Sequence, residues 1–172
     1  MISPSATSPA LSTIADNGYF FRTAPSDARQ GQVLAQITIE RGINEVAVTF
    51  TNNDYGKGLS DSFIGAYKGL GGKVSAVVPH DEGKADYSAE VGALDASGAE
   101  VLAVFGYVGQ GGRHIIQGSL DSGAFDKFIL ADGMFGESLL TNVDGDLSGT
   151  FGTVPGTDSK GADNFAVLAK AA

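Results

Sequence analysis

The sequence predicts an α/β fold in which a doubly wound parallel sheet lies between two layers of helices. Short runs rich in β-branched residues alternate with amphipathic stretches along most of the chain. The strand-like runs recur roughly every 30 residues, which is the length of a strand–helix–strand unit. Glycines follow several of the amphipathic stretches, as they do at helix ends. Repeated units of this kind form a parallel sheet with right-handed crossover connections.

Four runs of the sequence are predicted to be the buried strands of this sheet. Each run contains consecutive apolar residues and is followed by polar or glycine-rich residues. They occupy residues 45–50, 73–78, 101–105 and 127–130.

Four helices are predicted from apolar residues that recur at helical spacing. Ser26 and Asp27 can cap the first helix, which is expected to end at Gly42. The second helix covers residues 55–70. Its apolar face is predicted to contain Leu59, Phe63, Ala66, Tyr67 and Leu70. The last two helices are predicted from Tyr87, Val91 and Leu94 and from Ile115, Ile116 and Leu120.

The two ends of the chain depart from this rhythm. Residues 1–25 hold three prolines and an extended piece at 19–22. A second extended piece is predicted at residues 150–154, before an amphipathic stretch around Val167. We therefore expect residues 26–149 to form the α/β domain and both ends to belong to another structural unit.

The composition excludes several classes of function. The chain has 172 residues with a formal net charge of −9, so nucleic acid and anionic membranes are poor partners. It contains no cysteine, which excludes disulfides and thiol catalysis. Residues 1–11 do not resemble a signal peptide, and no run approaches the ~20 apolar residues of a membrane span. We expect a soluble protein.

A binding site is expected at the carboxyl ends of the predicted strands. In an open parallel sheet, ligands bind where the strand order reverses. If the order is 2-1-3-4, Tyr55 and Tyr107 follow the two strands that flank this point, and Asp132 follows the next strand. Two phenol rings and a carboxylate can hold an ammonium group through cation–π attraction and charge-assisted hydrogen bonds. The alternative is that the tyrosines are half-buried packing residues and that Asp132 belongs to an ordinary turn.

Other motifs in the sequence do not predict chemistry. Residues 144–149 match the start of a calcium loop, but the twelfth position is Pro155 instead of glutamate. His80 and His114 lack partners at metal-ligand spacing. We find no catalytic constellation, and we predict a protein that is not an enzyme and needs no metal or cofactor.

Six segments in register resemble the type I periplasmic binding proteins for branched-chain amino acids. They cover the chain almost from end to end. The segments are residues 2–11, 21–27, 53–59, 86–88, 105–107 and 132–133. The resemblance implies a fold of two α/β lobes that are joined by three crossover strands and close on a ligand. It also implies the substrate-binding component of an ABC importer, located in the periplasm, with a membrane permease as partner.

The resemblance implies roles for individual residues. Ser5 and Thr7, on a segment of the first lobe, would bind the carboxylate of an amino acid. Tyr55 and Tyr107 would flank the ligand from the second lobe, and Asp132 would hold its ammonium group. The family more commonly has glutamate at this last position, so the shorter Asp132 puts leucine-type specificity in doubt.

The same resemblance divides the chain into three parts. Residues 1–25 would be a first-lobe segment with the first crossover, and residues 26–149 would be the second lobe. Residues 150–172 would form the second crossover and the start of the return. Because much of the first lobe would be missing, we expect a fragment that binds ligand weakly and can self-associate.

Two other classes of function stay open from the sequence. The same fold serves as a ligand-sensing domain in regulators and receptors, which a neighbouring DNA-binding or membrane segment would indicate. A doubly wound α/β enzyme is the third possibility, and the missing phosphate loop counts against it.

Overall fold

A five-stranded parallel sheet forms the centre of the computed structural model, which describes residues 1–109 and 111–156. Its strands run in the order β4-β3-β5-β6-β7, and two further strands form a separate pair. The strands are β1 (Ile2–Ser3), β2 (Phe21–Arg22), β3 (Glu45–Thr51), β4 (Lys73–His80), β5 (Leu102–Phe105), β6 (Phe128–Leu130) and β7 (Phe151–Gly152).

Helices follow most of the strands of the main sheet and cover both of its faces. They are α1 (Asp27–Glu40), α2 (Asp54–Gly69), α3 (Ser88–Asp95), α4 (Gly111–Ser122) and α5 (Glu137–Asn142). Two short 3-10 helices occupy Pro9–Ser12 and Asp132–Met134. No helix in residues 1–109 and 111–156 is long and apolar enough to cross a bilayer.

The core has two halves, one on each face of the main sheet. Successive residues of a strand point to opposite faces, so Val46 and Val48 of β3 pack on one side and Ala47 packs on the other. The first half contains residues of α1 and α2, such as Leu34 and Phe63. The second half contains residues of α3, α4 and α5. This arrangement confirms the predicted three-layer α/β fold.

The predicted order of the first four sheet strands is also confirmed. From β3 the chain crosses to β4 on one side, and it then returns to add β5 on the other side of β3. In register, Phe50 of β3 pairs with Phe105 of β5. The strand order therefore reverses between β3 and β5, and the carboxyl ends at such a reversal are where open α/β sheets bind ligands. We call this side of the sheet the carboxyl edge.

The helix bounds differ from the predicted ones in two instructive places. Ser26 alone caps α1, with its side chain accepting a hydrogen bond from the Ala28 N–H at 3.3 Å, while Asp27 turns inward and is buried. Leu70 ends α2 and is 51% exposed, so it does not belong to the buried face of that helix.

The chain ends form smaller structures. Strands β1 and β2 pair in parallel with each other and not with the main sheet, whereas β7 extends the main sheet beside β6. The extended pieces predicted at residues 19–22 and 150–154 thus contain short strands. The stretch around Val167 lies outside the described residues.

Candidate functional site

Tyr55 is placed at the carboxyl edge by the tight turn from β3 into α2. The Asn53 side chain caps α2 by accepting a hydrogen bond from the Gly56 N–H at 2.9 Å. A β-carbon on Gly56 would lie 2.3 Å from the Thr51 carbonyl oxygen, so only glycine lets the helix fold back so closely. The turn therefore fixes the start of α2, and with it Tyr55, at the carboxyl edge.

Tyr107 reaches the same edge from the end of β5. Its ring stacks on the ring of Tyr55, with centroids 5.1 Å apart and planes 28° from parallel. Offset stacking of this kind is favourable between aromatic rings. The two tyrosines that the sequence placed on either side of the reversal point are thus in contact.

Asp132 joins the tyrosines from the end of β6. The Tyr55 hydroxyl donates a hydrogen bond to Asp132 Oδ1 at 3.0 Å and accepts one from the Gly133 N–H at 3.2 Å. A β-carbon on Gly133 would lie 2.3 Å from the Gly106 carbonyl oxygen and 2.8 Å from the Tyr55 hydroxyl oxygen. Glycine at this position therefore permits the close approach on which the contact between Tyr55 and Asp132 depends.

These three side chains form what we call the tyrosine–aspartate cluster (Tyr55, Tyr107 and Asp132). All three are half-buried, so each side chain remains partly accessible at the carboxyl edge. Burial, and then the charge of Asp132, hold the pKa of Tyr55 well above its usual range. Burial also raises the pKa of Tyr107. Both hydroxyls are therefore neutral at physiological pH, and the cluster presents two uncharged rings beside a carboxylate.

The segment that carries Ser5 and Thr7 lies against the start of α2. The Arg22 guanidinium holds this segment by donating to the carbonyl oxygens of Ala6, Thr7 and Ser8 at 3.4, 3.2 and 2.9 Å. A β-carbon on Gly58 of α2 would lie 2.8 Å from the Pro9 ring. The lack of a side chain at Gly58 therefore lets this segment pack directly against α2.

Ser5 and Thr7 differ in their surroundings. Thr7 is buried, and its carbonyl oxygen accepts a hydrogen bond from the Asp27 N–H at 3.0 Å. Ser5 is exposed, and its N–H donates to the Ser3 hydroxyl oxygen at 3.4 Å. The structure thus brings together Tyr55, Tyr107 and Asp132, and it records no hydrogen bond that would join Ser5 to them within the described residues.

Asp27 is a residue of this region that the sequence reasoning misread as a cap. Its side chain is completely buried, and neither carboxylate oxygen meets a donor in full hydrogen-bonding geometry among the described residues, although the Thr7 hydroxyl lies close enough to affect its pKa. Burial raises the pKa of Asp27 to about 6, and the charge of Asp132 also raises it, whereas the Thr7 hydroxyl and the Arg22 charge lower it. Both possible caps, Ser26 and Asp27, suit a helix start, and only the packing decides which one turns inward.

Glu82 is a second residue that the sequence did not single out. Its Oε2 atom accepts a hydrogen bond from the Gly111 N–H at 2.8 Å, at the start of α4. The Thr51 hydroxyl donates to its Oε1 atom from the end of β3. Glu82 thus ties β3 to the helix that follows the Tyr107 loop.

The motifs set aside in the sequence also have ordinary structural partners. Asp146 accepts a hydrogen bond from the Ser148 N–H at 2.8 Å, as in a polar turn. His80 is buried, and its Nδ1 atom lies 2.8 Å from the Thr49 hydroxyl oxygen. In the part of the chain that the structure describes, no group of three or more histidine or acidic side chains could hold a metal ion.

Comparisons with known proteins agree with this architecture. A family described as "Periplasmic binding protein" matches residues 1–171. Leu/Ile/Val-binding protein homolog 3 of Brucella melitensis is 38% identical over 117 residues, which are 65% of this chain and 30% of that protein. Homolog 1 of the same organism is 28% identical over 172 residues, which are 98% of this chain and 45% of that protein.

A solved structure shows the same fold. A leucine-binding protein from Thermotoga maritima is similar with a TM-score of 0.71 and 25% sequence identity, over 82% of this chain and 40% of that chain. The chain thus spans less than half the length of each of these three proteins.

Proposed function

Because the chain belongs to the periplasmic binding protein family, we propose that it forms one wall of a cleft that binds an amino acid or a similar small zwitterion. Its relatives are solute-binding proteins and not enzymes. In this proposal the tyrosine–aspartate cluster contacts the ligand, and the chain contributes to the binding component of an ABC importer.

The observation that carries the proposal is the contact of Tyr55 with both Tyr107 and Asp132 at the carboxyl edge. The rings stack at 5.1 Å, and the Tyr55 hydroxyl donates to Asp132 at 3.0 Å. An ammonium group beside Asp132 would pair with the carboxylate and face the aromatic rings. The neutral Tyr107 hydroxyl can donate to an oxygen atom of the same ligand, whereas the Tyr55 hydroxyl already donates to Asp132.

The carboxylate of the ligand would lie on the other side of the cleft. We propose that Ser5 and Thr7 bind it with hydroxyl and backbone N–H donors. This assignment follows the division of the chain into a first-lobe segment (residues 1–25), a second lobe (26–149) and a returning segment (150–172). Arg22 donates hydrogen bonds to the carbonyl oxygens of residues 6, 7 and 8. These bonds support the assignment, because a segment that is already fixed loses little entropy when a ligand binds.

The family and its relatives imply an extracytoplasmic location, and we propose the bacterial periplasm, with an importer permease as the partner of the whole protein.

The separate 172-residue chain is proposed to self-associate through its exposed apolar side chains, such as Ile2 and Phe21, which are 72% and 58% exposed. Sedimentation as a monomer at every concentration would contradict this second point.

Isothermal titration calorimetry on the complete protein encoded by the gene tests the proposed ligand class. We expect one of the twenty L-amino acids to bind with measurable heat. Asp132→Asn removes the charge beside the ammonium group and should weaken binding at least tenfold, which is about 1.4 kcal/mol or more.

Asp126→Asn provides the matched control for this experiment. Asp126 is exposed and precedes β6, whereas Asp132 follows it, so the two aspartates lie at opposite ends of one strand. The control should bind like the unmodified protein. Absence of heat with all twenty amino acids, or equal binding by the Asp132→Asn protein, would contradict the proposed function.

A further inference from the structure

His80 packs against the backbone on both sides of Tyr107. It is the last residue of β4, and its side chain is completely buried. A β-carbon on Gly106 would lie 3.0 Å from His80 Nε2 and 3.3 Å from His80 Cε1. A β-carbon on Gly111, at the start of α4, would lie 2.8 Å from His80 Cδ2. The far edge of the imidazole ring therefore supports the backbone before Tyr107 and the helix start after it.

The near edge of the imidazole ring is held by the sheet. His80 Nδ1 lies 2.8 Å from the hydroxyl oxygen of Thr49, a buried residue of the neighbouring strand β3. Burial lowers the pKa of His80, so the ring is neutral at physiological pH. Its Nε2 atom makes no hydrogen bond among the described residues, although buried polar atoms are usually paired. We conclude that the bond to Thr49 orients the ring and that its far edge acts through its shape.

Gly106 connects His80 to the tyrosine–aspartate cluster. Tyr107 directly follows Gly106 in the chain. A β-carbon on Gly133 would lie 2.3 Å from the Gly106 carbonyl oxygen, so these two backbone segments are in direct contact. The Gly133 N–H in turn donates to the Tyr55 hydroxyl at 3.2 Å. Because packed interiors have little free space, a shift of Gly106 relative to His80 would displace Tyr107 as well.

We propose that His80 is a positioning residue for Tyr107: its imidazole ring fixes the place of Gly106 and thereby keeps the Tyr107 ring stacked on Tyr55. The stack has its centroids 5.1 Å apart, a favourable separation for aromatic rings. The inference rests on the proposed function where it concerns ligand affinity, because only that proposal places a ligand beside Tyr107. The effect of His80 on the stack itself needs no ligand.

Two substitutions with compensating volumes test this role. His80→Asn can keep a hydrogen bond to Thr49 but removes the ring atoms beside Gly106. Gly106→Ala adds a methyl group in the space that those atoms occupy, and the φ angle of Gly106 lies outside the left-handed region, so alanine is allowed there. Each single variant should displace Tyr107. In the double variant the methyl group occupies the vacated space, so Tyr107 should return to its place.

The ring stack is measured first, by NMR of the 172-residue chain. The chain has five tyrosines and no tryptophan, which simplifies the aromatic spectrum. We expect nuclear Overhauser contacts between the rings of Tyr55 and Tyr107 in the unmodified chain and in the double variant. These contacts should weaken in both single variants. If His80→Asn does not fold, Thr49→Val removes the hydrogen bond of the ring without changing its size and should weaken the contacts in the same way.

Val78→Ala is the matched control for these variants. Val78 lies two residues before His80 on the same face of β4, and it packs against the half of the core that contains α3 and α4. Its truncation also removes buried atoms from β4 and lowers stability. The contacts between the Tyr55 and Tyr107 rings should nevertheless stay as in the unmodified chain, because Val78 does not support Gly106.

Ligand affinity is measured second, by calorimetry on the complete protein with the L-amino acid of the twenty that binds most tightly. We expect His80→Asn and Gly106→Ala each to weaken binding by about fivefold or more, and the double variant to bind within about twofold of the unmodified protein. Val78→Ala should bind like the unmodified protein. A role of His80 in stability alone would not separate it from Val78 in this way.

Several results would overturn this inference and leave the proposed function standing. They are ring contacts that persist in the folded His80→Asn chain, a double variant no closer to the unmodified protein than the single variants, and unchanged affinity in both single variants. Failure of all twenty amino acids to bind the unmodified complete protein would instead overturn the proposed function. The ring contacts would then still decide whether His80 positions Tyr107.

Discussion

At the scale of single residues, Tyr55 has the most contacts to other parts of the candidate site. Its ring contacts Tyr107, and its hydroxyl both donates to Asp132 and accepts from the Gly133 N–H. The ends of β5 and β6 are therefore joined through one side chain, which projects from the first turn of α2. The hydroxyl contributes to the structure of the cluster as well as to its proposed chemistry.

Tyr55→Phe separates these two contributions. The substitution keeps the ring stack but leaves Asp132 Oδ1 and the Gly133 N–H without this partner. We expect the free energy of unfolding to fall by about 1–2 kcal/mol, measured by urea denaturation of the 172-residue chain. Tyr19→Phe is the control, because Tyr19 is 74% exposed and should change stability by less than about 0.5 kcal/mol. Equal stability of the two variants would contradict the role of the Tyr55 hydroxyl.

Candidate site residues could be predicted from the sequence only where their position after a strand places them at the carboxyl edge. The grouping of Tyr55, Tyr107 and Asp132 was predicted because each comes shortly after a predicted strand, and the reversal of strand order brings such residues together. Asp27 and Glu82 could not be found in this way. Their roles depend on which way a side chain turns at a helix start or in a loop, and this is decided by packing that no local pattern records.

At the scale of elements, the position of Tyr107 depends on the start of α4. Glu82, in the loop after β4, accepts a hydrogen bond from the Gly111 N–H at 2.8 Å and another from the Thr51 hydroxyl. A carboxylate at a helix start also interacts favourably with the helix dipole. The loop that carries Tyr107 is therefore held at both ends, by β5 on one side and by Glu82 on the other.

Glu82→Ala is expected to loosen this end of α4. The free energy of unfolding should fall by about 1–2 kcal/mol, as on loss of a helix cap, and the Gly111 amide should exchange hydrogen faster. Asp81→Ala is the matched control, because Asp81 is exposed and bonds only the Asn52 side chain, at 2.9 Å, among the recorded hydrogen bonds of its carboxylate. If the Gly111 amide exchanges hydrogen at the same rate in both variants as in the unmodified chain, Glu82 does not stabilise the start of α4.

Elements with a long apolar run or face were predicted well, and the short helices were not. Strand β3 and helix α2 were placed within one residue of their observed bounds, because each has a long apolar run or face. Helix α5 and the two 3-10 helices are three to six residues long and carry no such pattern. The pairing of β1 with β2 depends on contacts distant in sequence, which local composition does not reveal.

At the scale of the whole molecule, the candidate site lies at one edge of the main sheet. The carboxyl edge of the main sheet carries the tyrosine–aspartate cluster, and the Thr7 segment lies beside it against α2. The chain spans less than half the length of its relatives. In the proposed two-lobed protein, closure of the first lobe over this edge would bury the ligand and lower the local dielectric, which strengthens its pairing with Asp132.

A crystal structure of the complete protein with its bound amino acid would test the central claim most directly. We predict that the ligand ammonium group lies within about 3 Å of an Asp132 carboxylate oxygen, next to the rings of Tyr55 and Tyr107. A ligand bound elsewhere in the protein, or one whose ammonium group is held without Asp132, would contradict the account.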